Sequence, residues 1–268
     1  MKVRVHRSLL ACVLMAGSLL DARASVAAPQ DAVASVAAFL VAESTAGDLN
    51  GDGDAADFVV HVLDTRTGEI FNLGLAAPVV CDVAFPPGFC SPVQPVAGDT
   101  IVAFLVSEGA QGATDFNRDG DAIDDVLFVY DAPRREVRST GLAVAHGTTR
   151  SVSFITFPIV PVVLGDVVVF LVGEGEQGTD LNHDRDQSDA VIHLVSPKKQ
   201  HKPINLALAA PRIGFFQSPV LTASGDGNVV SVLVGEPEQG QDLNRDGDAD
   251  DVVTMEVRVQ NGKARVAD

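Results

Sequence analysis

DLNGDGDAAD, residues Asp48–Asp57, places four aspartates, an asparagine and two glycines in ten positions. Carboxylates crowded this closely oppose folding unless something positive neutralises them. A solvated surface turn would account for one such stretch, because Asp, Asn and Gly are also turn residues. The stretch is not alone, however. DFNRDGDAID (Asp115–Asp124), DLNHDRDQSD (Asp180–Asp189) and DLNRDGDADD (Asp242–Asp251) repeat it, with starts 67, 65 and 62 residues apart. Self-similarity at a near-constant spacing marks an array of equivalent units.

The flanks repeat as well. An apolar run ending in glutamate precedes each loop: AAFLVAE, VAFLVSE, VVFLVGE and VSVLVGE, closing at Glu43, Glu108, Glu174 and Glu236. A second run follows each loop: FVVHVLD, DVLFVYD, AVIHLVS and VVTMEVR. A third comes after a polar turn, as in FNLGLAAP (Phe71–Pro78) and INLALAAP (Ile204–Pro211). Upstream sit Gly-Asp turns (Gly98-Asp99, Gly165-Asp166, Gly225-Asp226), each after a short apolar piece. The runs are short, rich in Val, Phe, Leu and Ile, and bounded by Gly, Pro and Asp, which makes them strands. No segment after the leader carries a sustained helical period. The middle runs are apolar on consecutive residues, as strands buried on both faces are.

The expected fold class is therefore all-β: four repeats of a four-stranded antiparallel sheet. A β-propeller or open propeller-like array accommodates that unit, with a solenoid or stacked pair of sheets as the rival. The repeats fall at about 25–88, 89–156, 157–214 and 215–268, within one domain spanning 25–268. Only Ser25–Val33 is available as the first strand of repeat one.

The leader and the overall charge set the compartment. Lys2, Arg4 and Arg7 precede the apolar run Leu9–Leu20, and Ala22-Arg23-Ala24 supplies a small-x-small cleavage pattern. Residues 1–24 thus read as a secretory signal peptide; an uncleaved anchor is the alternative. Cleavage removes four basic residues and one acidic one, taking the formal charge from −17 to −20. Such a chain excludes nucleic acid and anionic membrane surfaces as partners, since both demand basic patches. No insertion of the mature chain into a membrane is expected, and its place is secreted: extracellular, periplasmic or at the cell surface. Cys81 and Cys90 bracket DVAFPPGF, and in an oxidising compartment they are expected to form a local disulfide. No histidine lies between them to favour zinc.

The partner that fits the loops is a hard divalent cation with oxygen ligands, hence Ca2+. Oxygen-bearing side chains recur at positions 1, 3, 5, 7 and 10. They are Asp48, Asn50, Asp52, Asp54 and Asp57; Asp115, Asn117, Asp119, Asp121 and Asp124; Asp180, Asn182, Asp184, Asp186 and Asp189; Asp242, Asn244, Asp246, Asp248 and Asp251. Glycine at position 6 permits a left-handed turn that doubles the chain back. Position 7 offers either its carboxylate or its backbone carbonyl. Loop three has Arg185 in place of that glycine, which adds a Cβ and a positive charge, so it is expected to bind most weakly. Glu43, Glu108, Glu174 and Glu236 either contribute to the site or blunt a strand end with charge.

The loops resemble two groups of calcium sites: the dockerin and EF-hand class, and the Asp-rich loops of bacterial FG-GAP/VCBS and integrin-α-type propeller repeats. The second resemblance is the better one because strands flank the loops. It implies a secreted propeller-like repeat protein whose loops hold calcium. The pattern departs from both groups. Position 12, glutamate in an EF-hand, is Val59, Val126, Val191 and Val253, and the closing aspartate stands at position 10 where propeller loops place it at 9.

No catalytic constellation is readable, and the chain is not expected to be an enzyme. His61 and His193 occupy positions where the other repeats have Phe128 and Met255, which points to packing. His146 and His201 have no partners at a recognisable spacing, and His183, inside loop three where the other loops have Gly51, Arg118 and Arg245, reads as an exposed loop residue. Nucleophile elbows, HExxH and Walker loops are missing, and GEGEQG (Gly173–Gly178) lacks a phosphate loop's lysine. Zero Trp and one Tyr leave little to stack on sugars. Two functions remain: a calcium-stabilised interaction, adhesion or surface module with a protein or glycan partner, or a metal-dependent extracellular hydrolase or lyase using one acidic loop. Near-equivalence of the loops favours the module.

Overall fold

The computed structural model describes residues 35–82, 89–148, 156–165, 167–196, 200–212, 220–223, 228–260 and 263–266. The expected leader 1–24 and the strand expected at Ser25–Val33 lie outside the described residues.

Repeat one is a three-stranded antiparallel meander of β1 (Val36–Ala42), β2 (Phe58–Asp64) and β3 (Glu69–Ala76), with a one-turn helix α1 (Glu43–Ala46) after β1. A two-stranded ribbon follows, β4 (Val79–Asp82) with β5 (Phe89–Pro92). Repeat two has four strands in sequence order: β6 (Val96–Ala97), β7 (Ile101–Ser107), β8 (Asp125–Asp131) and β9 (Glu136–Ala143). A second ribbon joins β10 (His146–Thr148) to β11 (Thr156–Pro158). Repeat three comprises β12 (Val162–Leu164), β13 (Val167–Gly173), β14 (Ala190–Ser196) and β15 (Gln200–Ala209), with α2 (Glu174–Gln177) after β13. Repeat four comprises β16 (Val220–Ala223), β17 (Val229–Gly235), β18 (Val252–Gln260) and β19 (Lys263–Val266), with α3 (Glu236–Gln239) after β17.

The all-β reading and the strand order within a repeat hold, but the expectation of four four-stranded sheets is corrected. Among the described residues repeat one has three strands, and two ribbons occupy what the sequence left as linkers. Cys81 and Cys90 face each other across the first ribbon and are bonded, with Cα atoms 4.0 Å apart. The one-turn helices were also unforeseen, being too short to show a period. In repeat two the same place holds a 3-10 turn, Gly109–Gln111.

Consecutive sheets stack face to face. Val60 and Val62 of the first meet Val102, Phe104 and Phe128 of the second. Ile101, Ala103 and Leu127 on the second sheet's other side meet Val168, Phe170 and Val172. Ile192 and Leu194 of the third meet Val230, Val232 and Val257 of the fourth. This explains the consecutive apolar residues in the middle strands of the second and third sheets, where each face has a neighbour. The fourth sheet is different. Its far face turns Thr254, Glu256 and Arg258 to solvent.

Side chains clip each repeat to the next. Opposite β2, β8 and β14 the outer strand slips register between Val59 and His61, between Val126 and Phe128, and between Val191 and His193. The irregularity holds Gly74, Gly141 and Ala207 at φ 66°, 67° and 53°, where a residue other than glycine is strained. It also turns the N–H groups of Ala76, Ala143 and Ala209 out of their own sheet. Gln111, Gln177 and Gln239 of the following repeat accept them through Oε1 at 2.9, 3.0 and 2.8 Å. Repeat one has Ala46 at the corresponding position.

Candidate metal centre

Each acidic loop begins where the one-turn helix ends, and its base is closed by a backbone bond. Glu43, Glu108, Glu174 and Glu236 donate their N–H to the carbonyls of Asp57, Asp124, Asp189 and Asp251, at 2.9–3.0 Å. The side chains of these glutamates reach under the loop and are 0–1% exposed. Oε1 of Glu108 accepts N–H from Phe116 (2.6 Å) and Asn117 (3.3 Å), while Oε2 accepts from Asp124 (3.2 Å). The other three repeat the same three bonds. The glutamates therefore template the loop; they do not blunt a strand end at the surface.

The predicted residues divide by position. At position 1, Asp48, Asp180 and Asp242 each accept N–H from positions 4 and 6, and Asp115 accepts from position 4. Both of those donors are left-handed: Gly51, Arg118, His183 and Arg245 at position 4, then Gly53, Gly120, Arg185 and Gly247 at position 6. Position 4 was not foreseen. Asp52, Asp119, Asp184 and Asp246 at position 5 accept N–H from position 7, through Oδ1, at 3.0–3.3 Å. At position 3, Asn50, Asn117, Asn182 and Asn244 direct an amide N–H to the closing aspartate, at 2.9–3.4 Å. The first three send the other N–H to the next repeat, onto the carbonyls of Ala110, Glu176 and Glu238.

Carboxylates converge at four places: Glu43, Asp52, Asp54 and Asp57; Glu108, Asp121 and Asp124; Glu174, Asp186 and Asp189; Glu236, Asp248 and Asp251. Each cluster thus unites the buried glutamate with positions 7 and 10, and loop one adds position 5. Asp48, Asp115, Asp180 and Asp242 stand outside the clusters, as do Asp119, Asp184 and Asp246. Within a cluster the facing oxygens lie within 4.8 Å of one another. Oxygens on opposite sides of a calcium, each at 2.3–2.6 Å, are about 5 Å apart, so the donors suit this ion in kind and spacing.

The clusters are electrostatically unfavourable by themselves. Burial, reinforced by the charges of Asp52, Asp54 and Glu43, raises the Asp57 pKa to about 6. Burial likewise raises Asp124 to about 7 against its Asn117 hydrogen bond, with Asp119 and Asp121 adding repulsion. Asp189 rises to about 6 through burial and the charges of Asp186 and Asp184, with Arg212 opposing. An open cleft of about 420 Å³ lies where loops two and three meet, lined by Asp119, Asp121, Asp124, Glu176, Ser188 and Asp189.

The histidines separate clearly. His61 and His193 each give their Nδ1 hydrogen to a carbonyl two residues back, Val59 and Val191, and pack on Phe39 and Phe170. Burial lowers both pKa values, that of His193 to about 4, so they are neutral core residues. His146 was missed. Its Nε2 lies 3.1 Å from Asp125 and its Nδ1 3.4 Å from Glu176 of the next repeat. Burial pulls its pKa down, but those two carboxylates outweigh it and hold it at about 9.

No protein-family model matches the chain, and no curated protein does. Among solved structures, the chain is similar to TolB from Acinetobacter baumannii at 11% identity and a TM-score of 0.27. That alignment covers 90% of this chain and 54% of TolB, so the chain spans about half of its length. The tricorn protease aligns at 10% identity and a TM-score of 0.17, over 88% of this chain and 30% of that one. Neither likeness carries an argument about function. Among the described residues no helix is long and apolar enough to cross a membrane.

Proposed function

We propose that the acidic loops bind calcium, that the ions hold an open, propeller-like array of sheets together, and that the exported array is an interaction or adhesion module at the cell surface. The carrying observation is the fourfold recurrence of one carboxylate cluster on the same buried glutamate. Among the described residues no Lys or Arg ion-pairs with the clusters of loops one, two and four. A divalent ion supplies the missing charge there, joins the two long strands that flank each of these loops, and couples its binding to folding. Weak sites, about 10⁻⁴–10⁻³ M, suffice in extracellular modules. The disulfide accords with an oxidising compartment. Ala46 in place of the clip glutamine and the polar far face of the fourth sheet support an open array over a closed ring. The test is thermal unfolding of the chain from Ser25 onward with calcium and with excess chelator. A higher midpoint with calcium is expected; coincident midpoints sink the reading.

A further inference from the structure

The four clusters are equivalent in backbone but not in charge. Loop three folds like the others despite Arg185: at φ 86° its N–H still reaches Asp180 Oδ2 at 3.1 Å, as Gly53 and Gly247 reach Asp48 and Asp242. Backbone shape therefore does not set this loop apart. What does is Arg212, which follows β15. Its Nη2 lies 2.8 Å from Ser188 Oγ, 3.4 Å from the Ser188 carbonyl and 3.3 Å from Asp189 Oδ1. Its backbone N–H and Nε approach Glu238 Oε1 of repeat four, at 3.3 and 3.8 Å. The Asp189 side chain it meets is 2% exposed. The corresponding positions in repeats one and two are Val79, with no charge, and His146, whose contacts go to Asp125 and Glu176 and not to the closing aspartate Asp124.

We propose that Arg212 is the built-in counter-ion of the third loop. Its guanidinium takes the closing carboxylate that calcium takes in the other loops, and ties repeat three to repeat four without an ion. A guanidinium forks onto a carboxylate and a neighbouring acceptor together, as Arg212 does with Asp189 and Ser188. A divalent ion entering the cluster would have to displace it or sit beside a like charge. Arg185 adds a second positive charge to the same loop.

This rests on the calcium reading above, and the experiment separates the two. Calcium bound per chain at saturation is counted by equilibrium dialysis with native mass spectrometry, for the wild type, Arg212→Gln and Arg212→Lys. Arg212 is largely exposed, so neither variant threatens folding. The wild type is expected to bind one ion fewer than it has loops. Arg212→Gln should gain one ion and Arg212→Lys none. Asp189→Asn should leave the wild-type count unchanged while Asp57→Asn lowers it by one. An ion in every loop of the wild type, or a count unmoved by Arg212→Gln, overturns this inference alone. No bound ion in any variant overturns both.

Discussion

Replacing Gln239 with leucine isolates one of the clips between repeats. Gln239 is 4% exposed, and its Oε1 accepts the N–H of Ala209, a residue with no exposure, at 2.8 Å. That N–H goes to the glutamine and not into the β14–β15 ladder, so no strand partner stands ready to replace it. A buried donor left without an acceptor costs about 1–3 kcal/mol. Leucine keeps most of the volume, so the cavity contribution is small beside that. For a chain of this size the midpoint falls by roughly 2–4 °C per kcal/mol, so a drop of about 2–12 °C is expected. The assay pairs thermal unfolding with amide hydrogen exchange, in which Ala209 should exchange faster while amides of the first sheet keep their rates. Unchanged protection at Ala209, or a loss under about 0.5 kcal/mol, would refute the clip. Ala46→Gln is the control. Ala46 is exposed, with no preceding repeat against it among the described residues, so its midpoint should not move. A rise of several degrees would mean the array closes on itself.

Two predictions concern pH. The closing aspartates Asp57, Asp124 and Asp189 have folded pKa values of about 6, 7 and 6, above the 3.8 of an unperturbed aspartate. Through these three groups the folded chain binds more protons than the unfolded one between about pH 4 and 7, while the lowered pKa values of His61 and His193 oppose them. In chelator the melting midpoint should rise as pH falls from 8 to 5, and saturating calcium should reduce that slope by the share of Asp57 and Asp124; a calcium-free midpoint that falls on acidification contradicts it. His146 acts at the other end of the scale. Its folded pKa of about 9 lies above the ordinary 6.5, so its contribution is complete below 6.5 and lost as pH rises through 9. The expected loss is at most about 3 kcal/mol, and His146→Gln should abolish this alkaline dependence in urea unfolding curves.

Much of the candidate site was legible because the spacing of acidic and amide side chains within one loop is local. Asn50, Asp52, Asp54 and Asp57 recur by position in every copy, and comparing copies separates them from ordinary turn residues. The glutamates showed in the same comparison, but not their role. Nothing in AAFLVAE or its copies tells that the carboxylate lies under the loop and collects three N–H groups. His146 and Arg212 left no signal, since each contacts residues more than twenty positions away in its own repeat and the next.

The sequence by itself determined the repeat, the strand-loop-strand unit and the acidic character of the loop, because each is written in neighbouring residues. Tertiary structure decided how the units meet. The strand irregularity that frees an alanine N–H, the glutamine that receives it and the asparagine that reaches the next one-turn helix lie on different repeats. Only the stacking of sheets, driven by burial of two apolar faces, brings them within hydrogen-bond distance. Pairing of β15 beside β14 also makes four nearly identical loops unlike, by bringing a guanidinium from just beyond the outer strand to one of them and none, among the described residues, to the other three.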